Sequence, residues 1–171
     1  MKKYTDRDYL RIFREVLPRI KYALFNWDFD DINRAARGGA KMGIFILASC
    51  YIDHLSCFYY GQDSCECNYI NFVNKFLPKY NGRNLYKSMR CKLVHNYSEG
   101  GKYSFIHNHS NLHLKLDRNS RTIINLRSFI NDLKEARDRY FKLLEKDDSL
   151  KIKMAKRYKN VGILGPQKLK L

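Results

Sequence analysis

The sequence predicts an all-α fold, an antiparallel bundle of four to five helices, with a small β-hairpin inserted near residues 103–117. Three observations carry this: an amphipathic pattern over 5–26, a nearly uniform apolar stretch within 34–60, and a second long amphipathic pattern over 123–144. An apolar helix needs amphipathic neighbours to cover it, which is the arrangement of a helical bundle.

Thr5 and Asp8, three apart, form a capping-box signature. Behind it Tyr9, Ile12, Phe13, Val16, Leu17, Ile20 and Leu24 recur at helical spacing. Pro18 lies inside this pattern, where it removes one backbone hydrogen bond and is expected to bend the helix. Residues 27–33 read as a connection with a cap. The next helix is expected from about Arg34 to Tyr60, weakened early by Gly38 and Gly39 and ended by Gly61. Residues 69–77 read as a short helix stopped by Pro78, and Asn81-Gly82 as a turn. Over 83–95 Leu85, Met89 and Leu93 fall on one helical face, and 97–101 ends that helix. Tyr103–His107 and Leu112–Leu116 both tolerate a strand, the second by strict alternation. Helical periodicity returns at Ile123. The domain is therefore expected over 1–146, followed by a basic C-terminal tail over 147–171. Part of that tail near Leu150–Tyr158 reads as helical, and its end, 162–171, as unstructured.

The 171 residues suit one domain, and a hydrophobic fraction of 44% with 13 Tyr and 10 Phe argues against low-complexity disorder. Lys and Arg number 33 against 17 Asp and Glu, a formal charge of +16. Such an excess attracts polyanions: RNA, DNA or an anionic membrane surface. Cys50, Cys57, Cys65, Cys67 and Cys91 are odd in number, and residues 1–20 carry charges throughout with no apolar core of a secretory signal. Free thiols in a reducing, cytoplasmic compartment follow as the expectation. The apolar stretch Met42–Ile52 is about half of the roughly 20 residues a membrane span needs, so no membrane association is expected.

No Gly-rich phosphate loop, H-E-x-x-H or G-x-S-x-G motif is present. The candidate for chemistry is Arg90 with His95 at the end of a helix. Histidine gives and takes protons near neutral pH, and arginine grips phosphate oxygens with a charged fork. On a regular helix five residues rotate by about 140°, so His95 must lie in a relaxed terminal turn if the two are to meet. The spacing alone equally describes an exposed arginine and a capping histidine.

The run from Leu85 to Ser98, Leu-Tyr-Lys-Ser-Met-Arg-Cys-Lys-Leu-Val-His-Asn-Tyr-Ser, resembles HEPN (higher eukaryotes and prokaryotes nucleotide-binding) domains. Those carry an R-x4-6-H motif late in a small antiparallel bundle, some with a tyrosine two residues after the histidine, as Tyr97 stands here. The apolar helix containing Ile52-Asp53-His54-Leu55-Ser56 is similar to the family's central helix. The likeness spans about 5–145 and is sharp around 85–98. Many members have Asn, Asp or His after the arginine, where this chain has Cys91. The resemblance implies a HEPN-like bundle and a metal-independent endoribonuclease without cofactor. The ribose 2′-hydroxyl attacks the adjacent phosphorus and leaves a 2′,3′-cyclic phosphate. His95 is then general acid or base, Arg90 stabilises phosphoryl charge, and Asn96, Tyr97 and Lys92 orient or bind substrate. It further implies a homodimer with two motifs facing one cleft, and the setting of a toxin or phage-defence protein with an antitoxin protein as partner. The alternative is a noncatalytic module that binds nucleotide or RNA, or serves as a scaffold.

Asp53 reads either as support for Arg90 or His95, or as an ordinary helix-surface acid. Cys65-x-Cys67 with Cys57 and His54 has the ligand types of a zinc site but not the usual paired spacing, so no metal is expected. His107, His109 and His113 read as solvated hairpin histidines.

Overall fold

The computed structural model describes residues 4–97 and 101–163. The Thr5 Oγ1 accepts the Asp8 N–H at 3.3 Å and the Asp8 carboxylate accepts the Thr5 N–H at 2.9 Å, the expected capping box. It opens α1 (Asp6–Tyr22), with Pro18 inside. A π-helical turn, Ala23–Trp27, leads into α2 (Asp28–Arg37). The 27–33 connection expected from sequence is therefore helical. The Asp28 N–H donates to the Ala23 carbonyl, so the helix runs on unbroken from the π turn, and Phe29 and Ile32 are buried. The break comes later, at 38–40, where Gly39 takes φ 73°.

Helix α3 (Lys41–Tyr60) is the centre of the bundle. Ile44, Phe45, Ala48, Tyr51, Ile52, Leu55 and Phe58 are buried, while Leu47 and Cys50 remain exposed on one face. By length and composition it could cross a membrane, yet 67% of its most apolar window is buried inside the fold, the pattern of a core helix. It runs through Asp53, as the helix expected to Tyr60 requires. Gly61 ends it at φ 70° in the left-handed region. A Cβ on Gly61 would stand 2.9 Å from the Lys153 carbonyl oxygen, whereas one on Gly39 would meet nothing within 4 Å. Gly61→Ala is expected to lower stability by about 1–3 kcal/mol from backbone strain, with the close approach in addition. Gly39→Ala bears the strain alone. Urea midpoints compare them, and equal losses would contradict the close packing of α3 on the C-terminal helix.

Helix α4 (Glu66–Phe76) is capped by Cys65, whose Sγ accepts the Asn68 N–H at 3.4 Å. Asn81 caps the short α5 (Gly82–Leu85), which passes into a π-helical run (Tyr86–Leu93) and a last turn, α6 (Val94–Asn96).

Strand β1 (Tyr103–Ile106) is where a strand was expected, but the hairpin is not formed. Its partner is β2 (Thr122–Asn125), and the pairing is parallel, Tyr103 opposite Thr122 and Ile106 opposite Asn125. Leu112 instead closes a 3-10 turn, Leu114 has φ 63°, and Leu116 is 67% exposed with one isolated bridge to Thr122. The β-branched Thr122-Ile123-Ile124 is the better strand former, and 107–121 supplies the long crossover that parallel pairing requires. The final long pattern thus begins as strand and turns helical only at α7 (Leu126–Lys146), capped by Asn125.

The segment read as a basic tail contributes α8 (Asp148–Val161), which packs on α1 and α3 with Leu150, Met154 and Ala155 buried. Residues 164–171 lie outside the described residues. The molecule is predominantly helical, with one small two-stranded sheet at one end of the core.

Candidate functional site

Leu85, Met89 and Leu93 are fully buried and lock the π-helical run onto the core. The opposite face carries Arg90, Lys92 and, one turn on, His95. In a π-helix the hydrogen bonds join i to i+5, so residues five apart sit roughly one turn above each other. The run ends at Leu93, two residues short of His95, which reduces the divergence of an ordinary helix without removing it. Tyr97 then adopts φ 50° and ends the helix, its N–H donating to the Leu93 carbonyl at 3.0 Å.

Arg90 is half-buried, and its Nε–H donates to Asp53 Oδ2 at 3.0 Å. Asp53 is 8% exposed, and its other oxygen accepts the Ser64 hydroxyl at 2.6 Å. Burial opposes the guanidinium charge, but the hydrogen bond and charge of Asp53 outweigh it and raise the Arg90 pKa further. Anchoring through Nε leaves the two Nη groups without a hydrogen-bond partner among the described residues, so the phosphate-gripping fork is unspent. Beside it, burial raises the Cys50 thiol pKa, with Arg90 opposing and Asp53 adding to the effect.

Of the residues singled out in the sequence, the structure joins Arg90 and Asp53. Lys92, His95, Asn96 and Tyr97 are exposed, Tyr97 by 67%, and their side chains have no hydrogen bond or ion pair among the described residues. Residues 98–100, which follow them, lie outside those described. His54 Nδ1 lies 2.8 Å from the Asp28 carboxylate instead of in a metal cluster. Among the described residues no three His, Cys, Asp or Glu side chains group as metal ligands.

A second polar cluster was not anticipated. Asp132 is 7% exposed and accepts hydrogen bonds from Lys79 Nζ at 2.7 Å and Tyr80 Oη at 2.6 Å. The His113 Nε2 lies 3.0 Å from Tyr80 Oη and 3.3 Å from Asp132, while its Nδ1 accepts the Asn125 N–H at 3.0 Å. That backbone donor fixes the tautomer, placing the ring proton on Nε2. The reading of His113 as a solvated histidine is thus corrected: its side chain is 12% exposed and ties the 107–121 crossover to α7. The signal was available, since Asp132 falls between Phe129 and Ala136 on the buried face of α7.

Burial pushes the Asp132 pKa up, but the hydrogen bonds from Lys79, Tyr80 and His113 prevail and hold it below the ordinary carboxylate value. A depressed folded-state pKa contributes stability that is present above the unfolded value, about 3.9, and lost as pH falls through the folded one. Asp132→Asn is expected to cost about 1–3 kcal/mol at pH 7, and the deficit should shrink in melts carried below about pH 4. A pH-independent deficit would show that the carboxylate charge is not what the cluster uses.

Compared with family models, curated proteins and solved structures, the chain has no match.

Proposed function

We propose that this chain is a metal-independent endoribonuclease of HEPN type that acts as a homodimer. One observation carries the reading: a guanidinium held at Nε by a buried carboxylate, its fork unspent, one partly π-helical turn from an unengaged imidazole. In the proposed reaction a base takes the proton of the ribose 2′-hydroxyl. The 2′-oxygen bonds to phosphorus, the P–O5′ bond breaks, and an acid protonates the departing oxygen. Arg90 stabilises the phosphoryl oxygens as negative charge builds. His95 serves as one proton carrier, and a second copy of the chain supplies the other imidazole. Leu47, 36% exposed, and Cys50, also exposed, lie on the α3 face that leads to Asp53 and offer an apolar surface for that copy. Lys92, Asn96 and Tyr97 are free to meet RNA, and the charge of +16 favours its approach. All five cysteines are unpaired, which suits a reducing, cytoplasmic setting. The resemblance also suggests a toxin or defence role, held in check by an antitoxin protein.

The test is cleavage of RNA by purified protein in EDTA, with product ends examined for 2′,3′-cyclic phosphate. Wild type is expected to cut, and His95→Ala and Arg90→Ala to lose cutting. Activity that vanishes with EDTA would overturn the mechanism. The second reading, a noncatalytic RNA- or nucleotide-binding module, draws on the commitment of Arg90 to Asp53 and the lack of a hydrogen bond from His95 to either among the described residues. It predicts RNA binding that weakens in Arg90→Ala, with no cleavage by wild type.

A further inference from the structure

A cleft of about 490 Å³ opens at the far end of the central helix from Arg90. Asp53 lies twelve residues beyond Lys41 on α3, roughly 18 Å at the helical rise, so the cleft and the Arg90 pair are separate places. Its walls are the end of α2, the start of α3, the end of β1 and the first turns of α7. Arg37, Lys41, Arg127 and His107 line it, and no carboxylate does.

The polar groups of this cleft are largely unengaged. Lys41, Arg127, His107, Asn33 and Asn131 have no side-chain hydrogen bond or ion pair among the described residues. Arg37 has one, its Nη2 3.6 Å from Asp30. Lys41 and Arg127 thus converge on one concave surface with no carboxylate in its lining to neutralise them. The helix geometry adds to the field. Ala40 begins the 20-residue α3 without a side-chain cap; the Lys41 N–H donates to the Gly39 carbonyl at 2.8 Å, and the positive end of the helix dipole still faces this end of the fold. His107 packs against the buried Phe45 ring at a 6.3 Å centroid distance, which sets the imidazole in the wall. Burial, then the charge of Lys41, lowers its pKa, so it faces the cleft largely as a neutral hydrogen-bonding ring at neutral pH.

Cations alone would suit any anion. The rest of the lining is more selective: Ala36, Leu126 and Ile130 give an apolar surface, and Asn33 and Asn131 add two amides that can donate and accept. The volume lies within the range of small-molecule sites, roughly 300–1,000 Å³. We propose that this cleft binds a nucleoside phosphate, its phosphates against Arg37, Lys41 and Arg127 and its base against the apolar wall within reach of the two amides. The site is independent of the ribonuclease reading, since it shares no residue with the Arg90 pair.

Calorimetric titration of the full chain with ADP, and separately with inorganic phosphate, tests this. ADP is expected to bind more tightly than phosphate. Lys41→Ala and Arg127→Ala should each weaken ADP about tenfold, the loss of one charge-assisted hydrogen bond. Both side chains are exposed, so melting temperatures should hold. Arg90→Ala should leave ADP binding unchanged, which separates this site from the proposed nuclease centre whether or not RNA is cut. Absence of ADP binding, or full binding in the Lys41→Ala/Arg127→Ala double variant, would overturn the proposal. Inorganic phosphate binding as tightly as ADP would overturn the nucleoside part of it.

Discussion

His95→Ala is expected to slow RNA cleavage by about 10²–10⁴-fold, the usual contribution of a general acid or base, and to leave the melting temperature where it was. The second half of this expectation gives the first its force. His95 is exposed and makes no side-chain hydrogen bond among the described residues, so its removal disturbs no packing. A rate loss at constant stability would therefore be chemical. Arg90 differs. Arg90→Ala leaves Asp53 with an uncompensated charge at 8% exposure, so stability should fall together with cleavage. Arg90→Lys restores a charge but not a two-pronged fork, and is expected to recover stability better than rate. Asp53→Asn keeps one oxygen to accept the Arg90 Nε–H and turns an amide N–H toward the Ser64 hydroxyl, so it should lie between wild type and Arg90→Ala. Cleavage at the wild-type rate by His95→Ala would sink the assignment, whatever the other variants do.

The parts of the fold that could be read in the sequence are those where one local signal dominates. The apolar circumference of α3, the Thr5–Asp8 box and the left-handed Gly61 each need only neighbouring residues to be recognised. The errors fall where two signals compete. Residues 27–33 look polar enough for a connection, but they continue a helix already running through the π turn, and two buried side chains, Phe29 and Ile32, hold them against the core. Leu112–Leu116 alternates like a strand, yet Thr122–Asn125 has the stiffer β-branched run and takes the place beside β1. Parallel pairing across a crossover has no local signature, so nothing between 107 and 121 could announce it. The candidate site divides in the same way. Arg90 and His95 are visible as a spacing. The π-helical register that alters their relation has no sign in the spacing, whereas Asp53, 37 residues upstream, stands out as an acid in an apolar helix and reads there either as support for Arg90 or His95 or as a surface acid; the fold makes it the partner of Arg90. Asp132 shows locally as a carboxylate within an apolar stripe, but its partners, Lys79, Tyr80 and His113, all come from other segments and have no local sign.

Phe45→Ala is expected to cost about 3–5 kcal/mol, a large share of the roughly 5–15 kcal/mol that holds a domain of ordinary stability. Phe45 is fully buried, with ring centroids 4.6 Å from Phe105 and 6.2 Å from Phe129. It thereby joins α3 to β1 and α7. Truncation leaves a void that the parallel strand pair, only four residues long on each side, has little capacity to fill. The same ring supports His107, so the damage should be asymmetric. In the fraction that stays folded, ADP binding is expected to weaken, because the cleft wall loses its backing. The Arg90–Asp53 pair is held by Leu85, Met89 and Leu93 on other surfaces of the core, so RNA cleavage per folded molecule should persist. Phe45→Leu refills most of the space and should recover most of the stability. Urea unfolding gives the loss, and binding and cleavage corrected for folded fraction give the asymmetry. Equal loss of both activities would mean that the two ends of α3 do not behave as separate sites.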